Sequence, residues 1–180
     1  VFLRISTQAG GKKVADDEQI FRKIIDQRDR FYRVAYSYVG NEQDAMDVVQ
    51  DVAYKAVKNL RRLREPEYAE TWLFRVTINT SLDFLRKRSH EQVGLPTEEK
   101  GANDNYESLT VFDMLRQLDH TSRAVIILHF MEGKTFQQIS AIIEKNVNTV
   151  KTLYYKSLKT LKIQLSEEAI NHVSESKRLE

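Results

Sequence analysis

Cysteine is absent from this chain of 180 residues, and glycine and proline are scarce, at six and two. Without a thiol there is no disulfide framework, thiolate metal site or cysteine nucleophile, a usage that fits a reducing, cytoplasmic setting. Long apolar runs are missing too. The longest, Ala124 to Leu128, falls far short of the roughly 20 residues a membrane helix needs, and the start Val1-Phe2-Leu3-Arg4 has no secretory layout. No membrane insertion is expected. Nor is there charge of one sign: Lys plus Arg number 28 against 26 Asp plus Glu, a net charge of +2. That excludes a uniformly basic coat, so affinity for nucleic acid has to come from local clustering.

Apolar residues, 41% of the chain, recur at spacings of three and four rather than two, which predicts an all-α protein. Charge divides it. Residues 16–88 hold 14 basic and 13 acidic side chains, residues 89–108 one and five, and residues 109–165 eight and four. The middle stretch, SHEQVGLPTEEKGANDNYES, has the composition of an acidic flexible linker. Two small helical domains, 16–88 and 109–165, are therefore expected. They are flanked by a disordered N-terminal arm, 1–15, and a C-terminal tail, 166–180, that includes a short helix from Ser166 to Val173.

In the first domain Ile20, Phe21, Ile24, Ile25, Phe31, Val34, Ala35 and Tyr38 mark the buried face of a helix ending near Gly40. Asn41 reads as the next N-cap. The second helix places Ala45, Val48, Val49, Val52, Ala56 and Leu60 inward and Asp44, Asp47, Asp51, Lys55 and Lys58 outward. A third, from about Glu70 to Arg88, buries Leu73, Val76, Leu82 and Leu85. In the second domain helices are predicted at about 107–118 and 121–131, then one opening at Thr135, which forms a capping box with Gln138. The pattern breaks at Glu144-Lys145-Asn146. A longer helix then turns Val147, Val150, Tyr154, Leu158, Leu161 and Leu165 inward and shows Asn148, Lys151, Thr152, Tyr155, Lys156, Lys159 and Lys162 outward.

Two helices joined by a tight turn, the second with four lysines and no acidic residue, match the helix-turn-helix plan. Cations would meet phosphates while short polar side chains near the helix start reach base edges. The bland alternative is a solvated lysine face. At the end of the first domain Trp72, Phe74 and Phe84 alternate with Arg75, Asn79, Arg86, Lys87 and Arg88, a mixture suited to gripping unstacked single-stranded DNA, although aromatics on a helix are more often core. Arg61, Arg62 and Arg64 form a second basic cluster beside the Pro66 loop. The carboxylates Asp44, Asp47 and Asp51 share one helical stripe, either solvated or a docking face for a basic partner. His90, His120, His129 and His172 show neither metal-ligand spacing nor triad order, and there is no Gly-rich phosphate loop. No catalytic residue, metal or cofactor is expected.

These motifs, taken in order, resemble the extracytoplasmic-function sigma factors of bacterial RNA polymerase. Asp44-Ala45-x-Asp47-x-x-Gln50-Asp51 is similar to the segment by which that family docks on core polymerase. Trp72-Leu73-x-Arg75-Val76-x-x-Asn79-x-x-x-Asp83-x-Leu85-Arg86-Lys87 is similar to its promoter-melting and −10-reading segment. Arg123-x-Val125-x-x-Leu128, Glu132-Gly133-x-Thr135-Phe136, Ile139 and Thr149-Val150-Lys151 resemble its −35-reading domain. The resemblance implies polymerase contacts at Asp44, Asp47, Gln50 and Asp51. It implies capture of a flipped base around 61–70, a strand track at Arg75 and Asn79, and phosphate contacts at Arg86 to Arg88. It implies −35 contacts from Thr135, Asn148, Thr149, Lys151, Thr152, Tyr155, Lys156 and Lys159. Its implied partners are core RNA polymerase, promoter DNA and an anti-sigma factor, with catalysis supplied by the polymerase. Three positions depart from the family pattern: Asp119 for Pro, Leu153 for Arg, and Glu144 where Gly is usual and a left-handed backbone costs other residues about 1 kcal/mol. A helix-turn-helix regulator acting on duplex DNA and a polymerase-binding helical adaptor are the competing readings.

Overall fold

The computed structural model describes residues 22, 25–59, 66–92 and 111–176, and among them every regular element is a helix. In chain order these are α1 (Arg28–Val39), α2 (Glu42–Lys58), α3 (Pro66–Gln92), α4 (Val111–Gln117), α5 (His120–Phe130), α6 (Phe136–Ile143) and α7 (Val147–Ser176). None of the described helices is long and apolar enough to cross a membrane. The expectations for residues 1–15, Ile20, Phe21, Ile24, Leu60, Arg61, Arg62 and Arg64, and those for residues 93–110, lie outside the described residues.

Helices α1, α2 and α3 pack on one another, and α5, α6 and α7 form the second cluster. Their ends follow local chemistry. Gly40 takes a left-handed backbone (φ 78°) and returns its N–H to the Tyr36 carbonyl, closing α1. Asn41 then caps α2 by accepting from the Asp44 N–H at 2.9 Å. Asp119 accepts from the N–H groups of Thr121 and Ser122 at the start of α5, filling the N-cap role that its short acceptor side chain suits. At Thr135 both halves of the predicted capping box form. Asn146 accepts from the Thr149 N–H at 2.8 Å and opens α7.

Several expectations need correction. Proline opens α3 rather than preceding it, because its missing N–H is an orphan in the first turn anyway, and the helix continues to Gln92 rather than stopping near Arg88. The break expected between residues 165 and 166 does not occur. A single helix of 30 residues runs to Ser176, since no glycine or proline interrupts it. Ile25 is 51% exposed: a turn at Gln27 separates it from α1 and breaks its register with Phe31, Val34, Ala35 and Tyr38. Asp44 and Lys55, read as outward, are turned onto α3. Asp44 pairs with Arg88, and the Lys55 ammonium donates to the Thr80 hydroxyl at 2.8 Å.

The two clusters share one continuous apolar core, reaching from Phe31, Val48 and Phe74 to Ile127, Ile139 and Val150. Buried hydroxyls within the first cluster satisfy themselves locally. Ser37, Thr77 and Ser81 donate to carbonyls three or four residues back, so small side chains let the helices approach closely without leaving an unpaired polar group.

At the junction lies Arg123, only 4% exposed. Its guanidinium donates to the carbonyls of Leu115, Arg116 and Leu118, the C-terminal acceptors of α4, and across the junction to Ser37 at 3.1 Å. Its carbon centre lies 5.1 Å from the ring centroid of Tyr38, whose hydroxyl donates to the His120 carbonyl at 2.8 Å. Burial pulls the Arg123 pKa down and pushes that of Tyr38 up, yet a guanidinium keeps its proton at any working pH. Arg123→Met removes the guanidinium from four carbonyls, of which only that of Leu115 keeps another donor, the Leu118 N–H, and the expected loss is about 3 kcal/mol. Differential scanning calorimetry should show Tm lower by roughly 6–12 °C. Arg123→Lys should recover only part of this, because one ammonium lacks the fork that serves carbonyls on two sides.

Candidate nucleic-acid and protein interfaces

Three exposed surfaces and one buried ionic cluster carry the residues of interest. On α2, Asp47, Gln50 and Asp51 are exposed, flanked by Met46 at 42%, Tyr54 at 68% and Val57 at 37% exposure. Periodicity alone did not single out these apolar flanks, although their spacing from Met46 through Gln50 to Tyr54 is one helical stripe. Asp44 stands apart from the stripe. It accepts from the Asn41 side-chain amide at 2.5 Å as well as from Arg88, and is half-buried. The structure therefore separates Asp44 from Asp47, Gln50 and Asp51, and joins it to one of the arginines expected on DNA.

Along α3, Asn79, Arg86 and Lys87 are exposed, whereas Trp72 and Phe84 are half-buried against the core and Phe74 is fully buried. Phe74 meets Phe31 edge-on at 5.4 Å. The aromatics of this segment are thus largely packing. Arg86 pairs with Asp83 one turn back at 3.1 Å, both side chains being mostly exposed, an arrangement worth little in water. A cavity of about 460 Å³ lies between α2 and α3, lined by Asp51, Lys55, Thr80, Phe84, Lys87 and His90 among others.

In the second cluster α6 and α7 form the helix-turn-helix. Its turn residue Glu144 is the one non-glycine with positive φ among the described residues (φ 54°, ψ 43°). The chain takes the left-handed bend even where glycine is missing. The second helix exposes Asn148, Lys151, Thr152, Tyr155, Lys156 and Lys159 on one face, with Thr149 half-buried beside them and its hydroxyl donating to Asn146. Thr135 is exposed at the start of α6. Leu153 packs against the core. Phe130, Phe136 and Tyr154 gather around His129, with His129 to Tyr154 at 4.9 Å between ring centroids, and Tyr155 meets Tyr154 edge-on.

Sequence reasoning missed the ionic cluster between the two helical groups. The Glu132 carboxylate, wholly buried, accepts from Arg30 at 2.6 Å and lies 3.0 Å from Arg33. Glu70 pairs with Arg30 at 2.5 Å and with Lys134 at 2.6 Å. Arg30 and Lys134 also lie 5.0 and 5.3 Å from the ring centroid of Phe74. Arg30 and Arg33 flank Phe31 and Val34 on an otherwise apolar stretch, but nothing local to α1 names Glu132 as their partner. Arg75 completes the seam. Its guanidinium donates to the Ile142 carbonyl at 3.1 Å and to the Ala141 carbonyl, and pairs with Glu144 at 2.6 Å.

Burial opposes the charge on Glu70, but hydrogen bonds from Lys134 and Arg30 outweigh it and hold the carboxyl below its ordinary value of 4.5. A depressed carboxyl pKa stabilises the native state above the unfolded value, and that contribution is lost as pH falls through the folded one. The thermal midpoint, followed by far-UV circular dichroism from pH 7 to pH 3, should therefore begin to drop once pH passes below 4.5. Glu70→Gln should lower the midpoint at pH 7 and flatten that drop; a parallel curve would remove Glu70 from the acid response.

The chain is similar to known proteins over both helical groups. Residues 24–91 match the family model for sigma-70 region 2, and residues 108–161 that for sigma-70 region 4. The RNA polymerase sigma factor SigV of Bacillus subtilis is 36% identical over 152 residues, covering 82% of this chain and 92% of the relative. The ECF RNA polymerase sigma factor SigW of the same organism is 26% identical over 172 residues, covering 84% and 91%. Among solved structures, the sigma factor RpoE of Bartonella quintana, in complex with the anti-sigma factor NepR, superposes with a TM-score of 0.66 at 23% identity, covering 81% of this chain and 95% of that one. CnrH, in complex with the cytosolic domain of CnrY, gives 0.61 at 20% identity, covering 85% and 96%.

Proposed function

This chain belongs to the extracytoplasmic-function RNA polymerase sigma factors, and on that premise we propose how its surfaces divide the work of promoter recognition. It directs transcription initiation and is not an enzyme. The observation that carries the division is the opposite charge of two exposed helix faces. On α2 the stripe is acidic, with Asp47 and Asp51 around Gln50; on α7 the exposed lysines have no acidic residue among them from 147 to 162. A stripe of carboxylates repels DNA and suits a basic protein surface, so α2, with Met46 and Tyr54 as apolar flanks, docks on core polymerase. Asp44 supports that face by holding Arg88 and the start of the helix.

The lysine face of α7 suits the duplex −35 element. Lys151, Lys156 and Lys159 meet phosphates, and Asn148, Thr149, Thr152 and Tyr155 face the groove, with Thr135 at the start of α6 beside them. Along α3 the exposed Asn79, with Arg75, Arg86, Lys87 and Arg88, forms the track for the melted −10 strand, and Arg61, Arg62, Arg64 and Trp72 belong to the same reading. Residues 16–88 and 109–165 act as the two recognition domains, with residues 89–108 as the acidic connection between them. The polymerase supplies the chemistry; this subunit supplies specificity and the free energy of capturing unpaired bases. The complexes of RpoE with NepR and of CnrH with CnrY support an anti-sigma factor as a further partner of this chain.

Anisotropy titration of the labelled chain with bacterial core RNA polymerase, followed by transcription from a promoter library, tests this division. Asp47→Arg should weaken core binding by about tenfold or more while leaving the fold intact. Neutralising Lys151, Lys156 and Lys159 should leave core binding unchanged but reduce the slope of log affinity against log salt on −35 duplex by about 0.9 for each phosphate that is no longer neutralised. If Asp47→Arg binds core as tightly as the native chain, α2 is not the docking helix.

A further inference from the structure

Arg75 stands in two places at once. It lies on α3 one turn before the exposed Asn79, on the proposed strand track, yet its guanidinium is already occupied by the other helical group. It donates to the carbonyls of Ala141 and Ile142 and pairs with the Glu144 carboxylate at 2.6 Å. Those carbonyls belong to the last turn of α6, where a helix leaves acceptors without donors of its own and its dipole favours a cation. Glu144 follows immediately, in the left-handed conformation that swings the chain into the turn. Two carbonyl oxygens and a carboxylate form an anionic acceptor set much like the one a phosphate offers a guanidinium. A cavity of about 150 Å³ opens beside it, lined by Arg75, Asn79, Thr121, Glu144 and Lys145 among others. The strand track and the helix-turn-helix turn therefore meet in one cleft.

We propose that Glu144 is an internal substitute for promoter phosphate: it holds Arg75 in a chain closed on itself, and melted DNA competes with it for the same guanidinium. The Arg30–Glu132, Arg33–Glu132 and Glu70–Lys134 pairs close the remainder of the seam. Glu144, 69% exposed at its side chain, sits at the accessible rim and is the group an incoming strand can displace first. The departure from glycine at this turn thereby has a use: it places a carboxylate where the backbone alone would leave only carbonyls. The inference rests on the assignment of Arg75 to the strand track.

The chain has no cysteine of its own, so Gln43→Cys and Gln137→Cys, both at exposed positions, allow donor and acceptor dyes to report the separation of the helical groups by single-molecule FRET. Glu144→Gly removes the carboxylate and also relieves the left-handed backbone, so misfolding does not cloud its result. The open-to-closed ratio should rise roughly threefold in Glu144→Gly and about tenfold in Arg75→Ala, which also vacates the two carbonyls. Affinity for a 20-nucleotide oligothymidylate should increase in Glu144→Gly and decrease in Arg75→Ala. Unchanged FRET distributions in both variants would overturn the closure. Opened distributions with oligothymidylate affinity unchanged in both would keep the closure but overturn the competition, and with it the placement of Arg75 on the strand track.

Discussion

A single buried guanidinium, that of Arg123, holds the junction on which the rest of the arrangement depends. Its fork serves the carboxyl end of α4 and the Ser37 carbonyl on α1 together. Burying a cation is costly, and the cost is met here by four carbonyl acceptors and the face of Tyr38 rather than by a carboxylate. Because the acceptors are main-chain groups of two elements, the side chain fixes the distance and angle between them. The Glu132 carboxylate does the complementary task, buried between Arg30 and Arg33. These two groups outweigh the exposed ion pairs: Arg86 with Asp83 is solvated on both sides and contributes little.

The near-neutral total charge conceals a division of labour. Carboxylates collect along the first half of α2, lysines on α7, and arginines along α3 and the seam, so the exposed faces differ in their predominant charge. A protein that touches both a polymerase and DNA needs this separation, since a uniform charge would repel one partner or bind the other without selection. The seam is built from the same residue types as those faces. While the seam is closed, its arginines are occupied by the carboxylates of Glu132 and Glu144.

Much of the fold was legible because helix ends announce themselves with short polar side chains. Asn41, Asp119 and the Thr135–Gln138 pair cap the helices they precede, and the turn at Glu144 falls at the break in apolar spacing. What periodicity could not reveal was which outward residue would find a partner on another helix. Asp44 and Lys55 look solvated in one dimension and are drawn onto α3 in three. Arg123, the charged residue immediately before the longest apolar run, was visible as a family position but not as a hub, because its acceptors are backbone carbonyls that any residue could supply. The α7 lysines were legible as a face because all of them lie on one helix. The ionic seam was not, since its members come from separate elements far apart in the chain.

The sequence distance spanned by that seam sets an order of assembly. Arg30 and Glu132 are 102 residues apart, while the packing inside each helical group joins helices no more than two apart along the chain, such as α1 with α3 and α5 with α7. Closing so long a loop costs more chain entropy than forming a local helix pair, so the groups gather first and the seam last. In reverse, the seam can part while each helical group keeps its own packing, so amide protons along α6 and the facing side of α3 should exchange before those inside α2.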